Sequence, residues 1–160
     1  MNVWIRNNFF KIIGILEIIG GIYGCISMCV YLFRSQPLLF LFFIIPFIVL
    51  SFTAGYFLLL GHPKGFLFSI ILQALSIISV HSSFITYVFY SGAKFILGIS
   101  FGTTIGLSFN FYLGAFNLEF LIDSNPTDRV AFDLGINILA VWFLVYLNHE
   151  RKRRFQHQQN

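Results

Sequence analysis

The sequence predicts an integral membrane protein, mainly α. It has four transmembrane helices, with a small antiparallel β insert between the third and fourth on the extracytoplasmic side. Three observations carry this prediction. The 160 residues are 58% hydrophobic and 10% charged, against about 25% charged in an ordinary soluble domain. The apolar residues come in runs near the roughly 20 residues that a helix needs to cross a bilayer. One stretch, "LSFNFYLGAFNLEFLI" (Leu107–Ile122), instead alternates apolar and polar residues like a strand. The expected layout is one membrane domain over 1–160, with spans near 12–33, 38–60, 66–82 and 132–147, a β insert over 84–122 and a basic tail over 148–160.

The first span follows a positive flank, Arg6 and Lys11. Its apolar run is too long for a signal core and no small-x-small cleavage site follows, so a retained span is expected. Cys25 and Cys29 lie one helical turn apart on this span; they are read as small packing residues, poorly placed for a disulfide. "RSQP" (Arg34–Pro37) ends the run, because the residue before a proline avoids the helical region. Pro46 within the second span is tolerated in a membrane helix. "GHPKG" (Gly61–Gly65) is a short polar turn and makes spans two and three an antiparallel pair. The third span starts at Phe66, and the last stops at "NHERKRR".

Four crossings would gather seven lysines and arginines on the side of both termini and three on the other. The positive-inside bias then places both termini in the cytoplasm of a multi-pass inner-membrane protein. Arg151, Lys152, Arg153 and Arg154 form a topology anchor that also attracts anionic lipid.

A two-residue turn at Gly114–Ala115 would oppose Leu113 to Phe116, Phe111 to Leu118, Phe109 to Phe120 and Leu107 to Ile122, all apolar. The other face pairs Tyr112 with Asn117, Asn110 with Glu119 and Ser108 with Leu121, so it is mostly polar. Glycine as the first central residue suits a type II′ turn, which needs φ > 0 there. Gly92–Ala93 permits the same construction, and "FGTTIG" (Phe101–Gly106) would join the two hairpins into a four-stranded meander. The first hairpin has a competitor: "SSFITYVFY" could extend the third helix instead. "SNPTDR" (Ser124–Arg129) turns into the last span, and the proline in Asn125-Pro126-Thr127 rules out a glycosylation acceptor.

"GILEIIGGIYG" (Gly14–Gly24), "AGYFLLLGHPKGFLFSIILQAL" (Ala54–Leu75) and "GINILAVWFLVYL" (Gly135–Leu147) resemble the helices of small uncharacterised bacterial four-span membrane proteins. The resemblance implies topology and helix packing and brings no activity.

Glu17 is the most demanding residue, since an acid within a span costs about 2.5–3.5 kcal/mol on insertion scales. It shares a stripe with Gly14, Gly21 and Gly24, whose small size permits close helix contact. At about 1.5 Å per residue, Glu17, Gln73 and Asn137 lie roughly 8, 11 and 15 Å from the same membrane face. They are read as a buried polar cluster, either an interhelical clamp or a cation or proton site. His62, His81, His149 and His157 lack metal-ligand spacing. Asp123, Asp128 and Asp133 lack the calcium-loop pattern; Asp133 suits a helix N-terminus instead. No catalytic residue, metal or cofactor is expected, and enzymatic activity is not. The expected partners are membrane lipid and either a second copy or another membrane protein, with no nucleic acid. The leading functional expectation is a structural or accessory interaction protein presenting the β-hairpin. The alternative is an oligomeric carrier or channel for a small solute or ion, using Glu17, Gln73 and Asn137.

Overall fold

The computed structural model of the chain describes residues 3–33, 39–82, 85–101, 105–122 and 132–155. Three helices come first: α1 (Val3–Phe33), α2 (Leu39–Leu59) and α3 (Pro63–Leu75). Four strands follow, β1 (Ile78–His81), β2 (Ile85–Phe101), β3 (Ile105–Ile122) and β4 (Phe132–Asn137). The last element is α4 (Ile138–Phe155). The "RSQP" break, the centre of the "FGTTIG" linker, the "SNPTDR" turn, Asp123, Asp128 and His157 lie outside the described residues.

This architecture corrects the four-span, multi-pass prediction. Among the described residues one helix is long and apolar enough to cross a membrane, the 23-residue stretch Asn8–Val30 of α1. The apolar stretch described in α2, Ile44–Leu59, is shorter, and so is α3. At about 1.5 Å per residue, the 13 residues of α3 reach about 20 Å, against a hydrocarbon core of about 30 Å. The expected third span stops at Leu75, and its last residues become β1. The expected fourth span begins as β4 and turns helical only at Ile138. These two apolar runs pair with each other: Ile78 with Ile136, Ser79 with Gly135, Val80 with Leu134 and His81 with Asp133. The inference that both termini are cytoplasmic depended on four crossings and falls with them.

The meander is also corrected. β2 and β3 each run unbroken through their Gly-Ala dipeptide and pair from Ile85↔Ile122 to Phe101↔Ile105. Gly92–Ala93 and Gly114–Ala115 are therefore not hairpin turns. They lie side by side, with Gly92 opposite Ala115 and Ala93 opposite Leu113, so Gly114 is the extra residue of a β-bulge. The bulge shifts the alternation by one residue. Leu107, Phe109, Phe111 and Leu113 therefore pair with odd-numbered residues of β2, as Phe116, Leu118, Phe120 and Ile122 do. Gly92 takes φ +89°, a conformation glycine adopts without the Cβ penalty.

The strand order is β1-β4-β2-β3, with β1 pairing back onto β2. β2 meets β1 at Thr86 and Tyr87, and meets β4 from Ile96 to Phe101. Both pairings are antiparallel, as is β1 with β4. Three strands can close in this way only if β2 bends between its two contacts, and the bulge lies there. β3 pairs with β2 along one edge, and no other described strand lies along its second edge.

The helices cover the odd-numbered face of β2. Phe89 and its cross-strand partner Leu118 pack with Ile44, Ile48 and Leu72. Ala93 joins Phe10, Ile13, Leu58, Phe66, Phe143 and Leu147. α2 ends in a Schellman turn at Gly61 (φ +69°), where the Gly61 N–H donates to Leu58 O and the His62 N–H to Phe57 O. Pro63 then opens α3, capped by His62 Nδ1 accepting from the Lys64 N–H. α1 approaches its neighbours at glycines: a Cβ on Gly55 would lie 2.5 Å from Gly14 O, and one on Gly20 would lie 2.2 Å from Ser91 Oγ. Gly21 faces the Phe52 ring, and Gly24 is buried.

Candidate functional site

Two polar constellations stand out. The first lies in the helical layer. Glu17 is 1% exposed, and its carboxylate accepts from Ser69 Oγ at 2.7 Å and from Gln73 Nε2 at 3.1 Å. Ser69 and Gln73 are one turn apart on α3, so a single face of that helix supplies both donors. The arrangement clamps α1 to α3. A second cross-element bond, Ser51 Oγ to Ser91 Oγ at 2.7 Å, ties α2 to β2 where the sheet bends.

Asn137 does not join Glu17 and Gln73. It sits at the junction of β4 and α4. There its Oδ1 accepts from the Phe95 N–H at 3.0 Å and from the Ala140 N–H at 3.3 Å. Its own N–H donates to Ile77 O at 2.7 Å. Asn137 thus caps the third residue of α4 and fastens β1 and β2 to that cap. Asn137→Ala is expected to destabilise the fold by about 1–2 kcal/mol, read as a lower midpoint in a denaturant titration. Asn137→Ser should recover part of that, because a hydroxyl can still cap the helix.

The second constellation is a crevice of about 190 Å³ on the even-numbered face of β2, inside the closed β1–β4–β2 triangle. Ser79, His81, Lys94 and Asp133 line it, with Val88, Ile96, Gly98 and Gly135 among its walls. His81 and Asp133 are cross-strand partners, as are Ser79 and Gly135. Gly135 makes room for the serine, since a Cβ there would lie 2.3 Å from Ser79 Oγ. His81 Nδ1 is hydrogen-bonded to Thr86 Oγ1 at 2.9 Å, which orients the ring. Lys94 holds its ammonium 3.8 Å over the Tyr90 ring, and partial burial lowers its pKa from the ordinary lysine value. Asp133 Oδ1 and Asn137 Nδ2 are buried side-chain atoms with no hydrogen-bond partner among the described residues. Sequence reading passed over the crevice because its residues come from three strands distant in the chain. Only the alternation Ser79–His81 and Asp133–Gly135 signalled that these residues share a face.

The basic C-terminal cluster is divided. Arg153 and Arg154 bond to the buried Glu150 carboxylate at 2.7 and 3.3 Å, and Arg154 lies over the Phe10 ring. Arg151 and Lys152 are exposed. Among the described residues, no three His, Cys, Asp or Glu converge in a way that could hold a metal ion. Cys25 and Cys29 are free thiols, both exposed. In comparisons with known protein families, curated proteins and solved structures, nothing matches the chain.

Proposed function

We propose that this is a structural protein anchored in the cytoplasmic membrane through α1 and acting by protein–protein contact rather than by chemistry. Its sheet is the contact surface. The observation that supports the reading is a sheet edge that no described strand pairs, together with an apolar exterior. α1 turns Ile12, Ile15, Ile22, Ile26 and Val30 outward, and α2 adds Ile45 and Val49. A monomer in water rarely exposes so much contiguous apolar surface, whereas lipid covers it without loss. A long open strand edge is a template for pairing with another chain.

The polar groups fit the same reading. Glu17, Ser69 and Gln73 satisfy one another inside the helical layer, as a structural clamp requires. Arg151 and Lys152 remain exposed at the end of α4 for anionic headgroups.

The test begins with fractionation. The chain is expected to stay in the membrane pellet through alkaline carbonate washing and to be released by detergent. Crosslinking in native membranes, followed by mass spectrometry, should then recover adducts through β3. Release by carbonate would overturn the anchor. Adducts confined to the helices would overturn the role given to the sheet.

A further inference from the structure

We propose that the partner of the open β3 edge is a second copy of this chain, joined by two-fold antiparallel β3–β3 pairing centred on Gly114–Ala115. The inference rests on the reading of the sheet as a contact surface and names what it contacts.

Three observations converge on this partner and this register. The first is the edge. β1, β4 and β2 close on one another, so β3 carries the described sheet edge that no described strand pairs, 18 residues long.

The second is the sequence of that strand, which is symmetric in its patterning about Gly114–Ala115. In a two-fold pairing with this centre, Leu113 stands opposite Phe116 of the other copy, Phe111 opposite Leu118, Phe109 opposite Phe120 and Leu107 opposite Ile122. Every one of these pairs is apolar. At the alternate positions Tyr112 meets Asn117, Asn110 meets Glu119 and Ser108 meets Leu121, a mostly polar set. Within one chain this pattern would serve a hairpin, but β3 runs straight through it and pairs with β2 instead. The bulge adapts this pattern to β2 along one edge, and the same symmetric register is available to a second β3 along the other. A slip of one residue would set Phe111 against Asn117 in one direction and against Glu119 in the other.

The third observation is the bend. The β2–β3 ribbon bulges where Gly92 faces Ala115. A two-fold axis through Gly114–Ala115 passes through that point, so both copies bend at the same place and the joined sheet stays continuous. An axis elsewhere would set a bent segment of one strand against a straight segment of the other. Such pairing is isologous and closes at two copies, so it covers the edge without seeding a fibre.

Disulfide trapping tests both partner and register. Cys25 and Cys29 are first changed to serine, because both are exposed and would crosslink by themselves. Asn110→Cys and Glu119→Cys are then made in separate chains and co-expressed. Residues 110 and 119 of one strand lie about 30 Å apart at about 3.3 Å per residue, far beyond the reach of a disulfide. Mild oxidation in native membranes is expected to convert the co-expressed pair to a species of twice the 18.4 kDa chain mass. Each single variant alone should stay monomeric. Asn110→Cys with Asn117→Cys, two residues out of register, should crosslink at least several-fold less.

Absence of the covalent dimer in membranes that retain the protein overturns the self-pairing and leaves the anchored-interaction reading standing. Release of the protein from those membranes by carbonate would instead overturn that reading. Both substitutions placed in one chain provide a further check. An intramolecular disulfide there would mean that β3 folds back on itself, which overturns the proposal together with the continuous strand.

Discussion

Gly92→Val is expected to cause the largest loss of folded protein among substitutions at the two positive-φ glycines described. Two independent terms act on it. Gly92 has φ +89°, and a left-handed backbone costs an ordinary residue about 1–2 kcal/mol, more when it is β-branched. A Cβ there would also lie 2.6 Å from Leu16 O and 2.8 Å from Leu16 C, both backbone atoms of α1. Neither can yield without moving the helix off the sheet. Together these effects should exceed about 3 kcal/mol, into the range reserved for a small set of backbone and core mechanisms.

Two companion variants separate the terms. Gly61→Ala meets a similar φ of +69° but nothing within 4 Å, so it should cost only about 1 kcal/mol. Gly20→Val has no positive-φ penalty in α1, yet its Cβ would lie 2.2 Å from Ser91 Oγ and 2.4 Å from Gly92 N. It should therefore approach Gly92→Val in severity. The measurement is the monodisperse fraction on detergent gel filtration, together with the midpoint of a thermal or denaturant unfolding curve. A Gly20→Val protein as stable as the parent would mean that α1 does not cross the sheet at Ser91 and Gly92.

That crossing shows how much of the fold was legible in the sequence. The alternation of "LSFNFYLGAFNLEFLI" slips phase at Gly114–Ala115, and the slip is real. A slip has two physical solutions: a turn that reverses the chain, or a bulge that keeps it going. Short-range chemistry favours the turn, because glycine suits its first central position. What decides between them is long-range. β2 offers β3 a partner along its full length, and the bend at the bulge lets β1 and β4 close onto β2. A positive φ at Gly92 was readable from the Gly-Ala dipeptide, while the use to which it is put was not.

The same limit explains the lost spans. Ile78–His81 and Phe132–Asn137 are apolar enough to pass for ends of membrane helices. They become strands because each finds the other across more than fifty residues of sequence, and hydropathy windows do not register such pairings. Local chemistry was sufficient where structure is local. The Gly61–Gly65 turn follows from its own Gly, His and Pro. In the polar layer, the burial cost of Glu17 and the depth of Gln73 on α3 pointed to each other. Ser69, four residues before Gln73 and therefore on the same helix face, could have been added by that spacing alone. Asn137 was misplaced because its depth was counted along a helix that had not yet begun.

Glu17→Leu should also be strongly damaging, through the groups it strands rather than those it removes. Ser69 Oγ and Gln73 Nε2 both donate to the Glu17 carboxylate, and all three residues are buried. A leucine of similar volume leaves two buried donors unsatisfied. At about 1–3 kcal/mol for each of the two stranded groups, the expected loss is about 2–6 kcal/mol. Glu17→Gln retains an acceptor oxygen and adds an amide that can donate to Ser69 Oγ, so it should cost less than half as much. Removing all three polar groups at once, as Glu17→Leu with Ser69→Ala and Gln73→Leu, should recover most of the stability lost by Glu17→Leu alone. Replacing every member of a satisfied network by apolar groups is nearly neutral, whereas breaking it at one member is not. The non-additivity of the triple variant relative to the three single variants, read from unfolding curves in one detergent, measures the clamp directly. A purely additive result would mean that Ser69 and Gln73 do not share Glu17. A triple variant that also retained membrane association and the β3 crosslink would show that the contact surface needs the shape of the clamp and not its polar groups.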